Sequence, residues 1–298
     1  MRILVTGGAG FIGQHVVAQL LERGDDVVIA DLDKSPNRDF IIDEVVGDLR
    51  DPAVVNEAFS YGIDGVIHLA ALTSVIKSVE NPQGVFDTNV GATQLLLEAA
   101  RLHGTRHFVM ASTNAVIGDV GSSVIHESMP VRPLTPYGAS KAGAEMLLSS
   151  YGACYDMVTV AYRLTNIYGL GMQVKDSIVA RLMRAAQTGG ALQVYGDGEQ
   201  VRDYLFVTDV ARAFVDGLAY TSSDVVILGS GHSVSVNELH RLTCEVTGVA
   251  IGYERIPAKA GEMPAVIVNT SRAAERGFTP AYSLRDGLAA TWADFQSH

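Results

Sequence analysis

Tyr137-Gly-Ala-Ser-Lys141 places a phenol and an amine four residues apart. On a helix, positions i and i+4 share a face, so the Tyr137 hydroxyl and the Lys141 ammonium can converge on one site. An isolated phenol titrates at about 10, and a neighbouring cation favours its ionised form, which makes Tyr137 a usable general base nearer neutrality. Pro136 suits the first helical position, where its missing N–H is not needed. The preceding run His107-Phe-Val-Met-Ala-Ser-Thr113 reads as a buried strand that leads to two hydroxyls. Thr113 could relay a proton between a substrate oxygen and Tyr137, while Ser112 is expected to touch a cofactor or to orient Tyr137. The plainer role of both hydroxyls is to satisfy backbone groups at the strand end.

A redox partner for such a base is written at the start of the chain. Met1-Arg-Ile-Leu-Val-Thr-Gly-Gly-Ala-Gly-Phe-Ile-Gly13 is an apolar strand running into glycines. Gly7, Gly10 and Gly13 permit a tight turn, close approach of a pyrophosphate and close packing of a helix on the sheet. The helix from Ile12 to about Arg23 would aim its N-terminal N–H groups at that pyrophosphate. A second strand, Asp26-Val-Val-Ile-Ala-Asp31, ends in an acid 18 residues after Gly13. A carboxylate there suits both ribose hydroxyls of an adenosine and repels a 2′-phosphate. No arginine follows directly, and Asp33 keeps the segment acidic, so NAD is expected rather than NADP.

Composition narrows the alternatives. The 298 residues are 48% hydrophobic, enough for a large α/β core with a smaller appendage, and the net charge is −11. No basic run occurs, which argues against nucleic acid or an anionic membrane as a partner. Cys154 and Cys244 lie far apart and match no metal spacing; no metal site is expected, and buried free thiols in a cytoplasmic protein are. The first residues already read as a core strand, leaving no room for a signal peptide, and no apolar run reaches membrane-span length. His68, the other histidines and Trp292 read as structural or surface residues.

These groups need a scaffold, and the patterning specifies one. Strands are expected at Ile3–Thr6, Val27–Asp31, Glu44–Gly47, Gly65–His68, His107–Ala111 and Val158–Tyr162, with helices at Val54–Tyr61, Gln83–His103 and Tyr137–Tyr155. Nearly continuous apolar strands alternating with helices indicate an α/β fold, a doubly wound parallel sheet of the Rossmann type. Past residue 165 the rhythm loosens into short strands (Leu192–Tyr195, Val201–Phe206, Val225–Leu228) and helices led by Thr208, Ser235 and Ser283. The expectation is a NAD-binding domain over 1–165 and a smaller mixed α/β substrate lobe over 166–298, with some exchange of chain between them.

Further motifs follow in order: Gly47-Asp48-Leu49, His68-Leu-Ala-Ala71, Asn89-Val-Gly-Ala-Thr93, Arg163-Leu-Thr-Asn-Ile-Tyr-Gly169 and Arg202-Asp-Tyr-Leu-Phe-Val207. With the glycine turn and Tyr137–Lys141, the chain resembles the extended short-chain dehydrogenase/reductase family, in its sugar-nucleotide epimerase/dehydratase group, over nearly its whole length. The resemblance implies that Gly7, Gly10, Phe11, Ile12, Gly13, Asp31, Ser112, Tyr137 and Lys141 bind NAD. It adds Asp48 and Leu49 at the adenine, Leu69, Ala70 and Ala71 along the dinucleotide, and Asn89 holding structure beside it. Thr113, Tyr137 and Lys141 take the catalytic roles. A nucleotide-sugar would meet Thr73, Thr113, Asn166 and Gln193, with Tyr195 along its base and Arg202 on its diphosphate. Lys175 would rim the sugar pocket, and Lys259-Ala-Gly-Glu262 stands where relatives carry Arg-Pro-Gly-Asp for ribose and phosphate. A homodimer through a four-helix bundle is also implied, with Val90, Leu97, Met146 and Leu147 on the apolar faces of its helices.

Arg202 has independent support. It is a cation in a glycine turn between short strands of an acidic protein, and its planar fork fits a diphosphate. Arg163 reads as structural. Three departures from the family matter. Val116-Ile-Gly118 lacks the usual tyrosine, Thr73 stands where a lysine is common, and Asn114 and Ala115 replace the Asp-Glu that dehydratases use to eliminate water. Asn and Ala cannot act as general acid or base, which disfavours dehydratase and decarboxylase chemistry. The remaining expectation is a NAD-dependent UDP-sugar 4-epimerase acting on a hexose or hexuronic acid. The alternatives are a nucleotide-sugar oxidoreductase or dehydratase of the same family, a NAD(P)-dependent hydroxysteroid-type dehydrogenase, or an inactive NAD-sensing protein.

Overall fold

A computed structural model describes residues 1–35, 43–257 and 264–297. In chain order the first elements are β1 (Arg2–Thr6), α1 (Phe11–Arg23), β2 (Asp26–Asp31), β3 (Asp43–Val46), α2 (Pro52–Phe59), β4 (Gly65–His68), α3 (Val75–Glu80) and α4 (Pro82–Phe86). A π turn (Asp87–Gly91) leads into α5 (Ala92–His103), followed by β5 (His107–Thr113), β6 (Val124–Ile125), α6 (Pro136–Cys154), β7 (Val158–Leu164) and β8 (Asn166–Tyr168). Then come α7 (Ile178–Thr188), β9 (Ala191–Tyr195), β10 (Val201–Phe206), α8 (Val207–Gly217), β11 (Asp224–Leu228) and β12 (Ser233–Ser235). The last elements are α9 (Val236–Thr247), β13 (Gly252–Ile256), β14 (Ile267–Val268), α10 (Ser271–Glu275) and α11 (Leu284–Gln296).

Two compact units result, one of Met1–Gly118, Glu127–Leu164 and Ala211–Val226, the other of Asp119–His126, Thr165–Val210 and Ile227–His298. Segments 119–126 and 211–226 therefore lie in the unit opposite to the one that a single cut near residue 165 would assign them.

A seven-stranded sheet ordered β11-β7-β5-β4-β1-β2-β3 organises the first unit, and it is the doubly wound sheet that the apolar strand runs imply. Alternate strand residues enter different layers. Leu4, Val28, Val66, Phe108 and Ala161 join one cluster with Phe59 of α2, Leu96 and Leu97 of α5, and Leu148 of α6. Each large side chain fully buried this way contributes about 1.5–3 kcal/mol, the main force holding helices on strands. Leu97 is completely buried in this cluster, so it does not belong to an exposed bundle face; α5 turns it inward onto the sheet. Val90 and Leu147 are half-buried, whereas Met146 is 62% exposed.

The expected single helix Gln83–His103 is interrupted by the π turn, within which Asn89 is buried. The Asn89 amide accepts from the Leu72 N–H at 2.8 Å and donates to the Leu72 carbonyl and to Ser140 Oγ, fixing the loop after β4 against α6. Neither cysteine is fully buried: Cys154 is exposed and Cys244 half-buried. His68 is structural, bonded to Thr6 at 2.7 Å and Thr93 at 2.9 Å.

In the second unit β10 lies between β8, which runs parallel to it, and antiparallel β12, with Tyr204 opposite Asn166 and Arg202 opposite Val234. Parallel pairs β9–β13 and β6–β14 complete it. Among the described residues no helix is long and apolar enough to cross a membrane, and no cluster of metal-ligating side chains occurs.

Candidate active site

The glycine turn forms because two backbones touch there. Gly7 has a φ of 72°, and a Cβ on it would lie 2.7 Å from the Ala70 nitrogen. A Cβ on Gly13 would meet the Gly7 carbonyl oxygen at 2.1 Å, so only glycine lets α1 start this close to β1. No side chain caps α1 at Gly10, whereas Asp51, Thr135, Ser177, Ser235 and Ser283 cap α2, α6, α7, α9 and α11. The start of α1, with the positive end of its dipole, lies beside this turn and suits an anion. Asp31 stands at the edge of the turn, its carboxylate accepting from the Ala9 N–H at 3.0 Å and the Leu32 N–H at 2.7 Å. A cradle that a Cβ would fill, an uncapped helix start and an acid at the end of β2 fit a NAD diphosphate and adenosine ribose.

Leu69, Ala70 and Ala71 are half-buried beyond β4. Leu49 lies in the core, and Asp48 is gripped by Arg50, whose guanidinium holds the carboxyl below the usual range. Thr73 is exposed on the loop before α3.

Thr113, Tyr137 and Lys141 are positioned by β5 and α6. Thr135 caps α6 and Pro136 occupies its first turn, which sets Tyr137 at the helix start and Lys141 one turn on. Burial pushes the Tyr137 phenol above its ordinary value, and the neighbouring Thr113 side chain acts the other way. Lys141 is 2% exposed and donates to the Ala111 carbonyl at 2.9 Å. Desolvation lowers its ammonium to about 8, against the attraction of Glu145. Ser112 does not face Tyr137; its hydroxyl donates to Glu145. Asn114 is buried with its amide on the Leu164 carbonyl, so no acid follows Thr113.

Glu145 escaped the sequence reading, although its place one turn beyond Lys141 could have revealed it. It forms a buried ion pair with Arg163, N–O 2.7 Å at its closest.

The second unit holds a pocket of about 190 Å³ lined by Asn166, Gln193, Tyr195, Arg202 and others, including Arg181. Among the described residues lining it none is acidic. Asn166 donates to the Asp203 carbonyl at 3.1 Å, Gln193 to Glu254 at 3.2 Å, and Arg202 to the Val201 carbonyl at 2.8 Å. Lys175 is exposed and does not line this pocket. Lys259 and Glu262 lie outside the described residues.

Known proteins are similar to this chain over nearly its whole length. The profile of the NAD dependent epimerase/dehydratase family matches residues 3–227. The UDP-glucose 4-epimerase of Corynebacterium glutamicum is 34% identical over 318 residues, covering 98% of this chain and 95% of that protein. The structure of Thermotoga maritima UDP-glucose 4-epimerase with UDP-glucose is similar at a TM-score of 0.94 and 32% identity, covering 100% of this chain and 99% of that one. MoeE5 in complex with UDP-glucuronic acid and NAD is similar at a TM-score of 0.93 and 34% identity, with the same coverage. The chain belongs to the NAD dependent epimerase/dehydratase family.

Proposed function

We propose that the protein is a NAD-dependent UDP-sugar 4-epimerase, acting on UDP-hexoses or UDP-hexuronic acids. The observation that carries the reading is the placing of Tyr137 beside Thr113, with buried Lys141, one helical turn away, bonded to the strand that ends in Thr113. Bound NAD would supply reversible hydride transfer at the sugar C4, with no net redox change. The Gly7–Gly13 turn and the start of α1 would hold its diphosphate, and Asp31 its ribose. Tyr137 accepts the C4 hydroxyl proton as the C4–H bond is lost and gives it back on the return. Thr113 orients that oxygen, and the Lys141 cation favours the phenolate against burial. In the second unit Arg202, Asn166, Gln193 and Tyr195 bind the nucleotide end. Strong grip there and weak grip on the sugar let the ring turn.

Asn114 and Ala115 provide no acid for dehydration, which favours epimerisation over that chemistry. The test is direct. Purified protein given UDP-glucose forms UDP-galactose without net NADH, with UDP-glucuronate and UDP-galacturonate as the second pair. Tyr137→Phe lowers turnover about 10²–10⁴-fold. Stoichiometric NADH accumulation would instead assign a net dehydrogenase.

The reading extends to assembly and compartment. A homodimer through α4 and α6 is supported by Phe86 and Met146, 54% and 62% exposed on adjacent helices, and sedimentation of Met146→Lys as a monomer is the expected result. Two free thiols support a reducing, cytoplasmic setting.

A further inference from the structure

Glu145 sits in the middle of α6 with 6% exposure, and Arg163 on β7 with 4%. Buried charges persist only where partners replace water. Arg163 meets Glu145 through Nε at 3.0 and 3.2 Å and Nη2 at 2.7 Å, and its Nη1 donates to the Glu127 carbonyl at 3.3 Å. Ser112 Oγ donates to the same carboxylate. The convergence follows from register: Ser112 and Arg163 are opposite each other in the β5–β7 pair.

The same helix meets the same strand end twice more. Lys141, one turn before Glu145, donates to the Ala111 carbonyl, and Tyr137, one turn earlier again, lies beside the Thr113 side chain. Three consecutive β5 residues, Ala111, Ser112 and Thr113, are thus each met by one of three α6 residues spaced a turn apart. Only the middle contact is backed by an ion pair.

We propose that Glu145 is a positioning residue for the Tyr137–Lys141 pair: with Arg163 it locks the end of β5 on α6, so that the Ala111 carbonyl meets Lys141 and Thr113 meets Tyr137. Its negative charge also favours the Lys141 ammonium. Of the other ionisable groups nearby, His68 on β4 interacts with Lys141 and is kept neutral by burial, Tyr137 lies one turn before it on α6, and Arg163 is paired with Glu145. Charges on α3, the π turn and α5 (Lys77, Glu80, Asp87, Glu98 and Arg101) are exposed or half-buried and screened by water.

The inference rests on the catalytic reading of Tyr137 and Lys141, so its test has two arms. In NAD-loaded enzyme, Glu145→Gln is expected to leave KM within about twofold and to lower kcat about tenfold, with the alkaline limb of the kcat profile about one pH unit lower. A profile of wild-type shape, scaled only by the folded fraction, would overturn the proposal. Because an unpaired Arg163 can unfold the chain, the double variant Glu145→Leu/Arg163→Met removes both charges together and is expected to fold and to lower kcat about tenfold at near wild-type KM. A wild-type kcat in the folded double variant would also overturn it.

The second arm needs no activity. The pH dependence of urea stability, taken as the difference between each protein and its Lys141→Met derivative, reads the Lys141 midpoint. That midpoint is expected to fall by about one unit in Glu145→Gln, and an unmoved midpoint counts against the role assigned to Glu145. A wild-type protein that fails to interconvert UDP-sugars would sink the functional reading while leaving this measurement intact.

Discussion

The Asp31 carboxylate accepts a hydrogen bond from the Ala9 N–H at 3.0 Å, tying the end of β2 to the glycine turn. The acid is thereby fixed beside the turn that would carry the dinucleotide, with lone pairs remaining for ribose hydroxyls. Asp31→Ala removes a charged acceptor and loosens the turn together. NAD affinity is expected to fall about 10–100-fold, as for a hydrogen bond to a charged group, while NADP affinity rises or stays level. Calorimetric titration of both cofactors checks this, and an equal loss for the two would show that Asp31 does not discriminate between them.

His68 makes fold stability depend on acid. It is buried between Thr6 and Thr93, and desolvation lowers its imidazole from 6.5 to about 3, with Lys141 adding to the shift. A depressed histidine binds its proton more readily in the unfolded chain. Its contribution is therefore complete above about 6.5 and is lost as pH falls toward 3. Between about pH 7.5 and about pH 5 the loss amounts to about 2 kcal/mol. Urea unfolding at the two pH values measures it, and His68→Gln, which cannot titrate, should flatten the dependence even if it starts from lower stability.

What the sequence made legible follows from how strongly each feature is constrained. The parallel sheet is covered on both faces, so its strands are continuous apolar runs, and the glycine turn is forced by contacts that exclude any Cβ. The meeting of Thr113 and Tyr137 follows from a strand end and a helix start joined in this topology. Other features depend on partners far away in the chain. The Glu145–Arg163 pair requires the β5–β7 register, which no local pattern encodes. Leu97 looked available for an interface because amphipathicity shows that a face is buried without showing against what. The π turn at Asp87–Gly91 is set by the Asn89 bonds to Leu72 and Ser140 rather than by propensity. Two-residue strands such as β6 and β14 carry too little pattern to announce their pairing.

In the proposed mechanism Lys141 trades stability for chemistry. Burial lowers its ammonium from 10.5 to about 8, so at neutral pH the fold carries a desolvated charge. Below about 8 that cost is fully present, and stability rises as pH goes from 8 toward 10.5, because there the unfolded chain holds the proton that the folded one has released. Lys141→Met keeps the apolar stem and removes the charge. It should raise stability at neutral pH by about 1–2 kcal/mol while reducing turnover at least about 100-fold. The stability gain should shrink above about pH 8. Urea denaturation over this range, beside a turnover assay, checks both, and a destabilised variant would mean that the Ala111 bond outweighs desolvation.

Arg202 separates binding from chemistry. It lines the second unit's pocket with Arg181. A diphosphate is bound alike before and during reaction at the sugar, so losing this contact removes uniform binding. Arg202→Ala should raise KM for the UDP-sugar about 10–100-fold, with kcat within about threefold of wild type. Competitive inhibition by UDP should weaken by the same factor, since UDP retains the diphosphate but has no sugar. Arg202→Lys should recover only part of the loss, because an ammonium restores charge without the planar fork. A fall in kcat at unchanged KM would move Arg202 from the nucleotide to the reacting sugar.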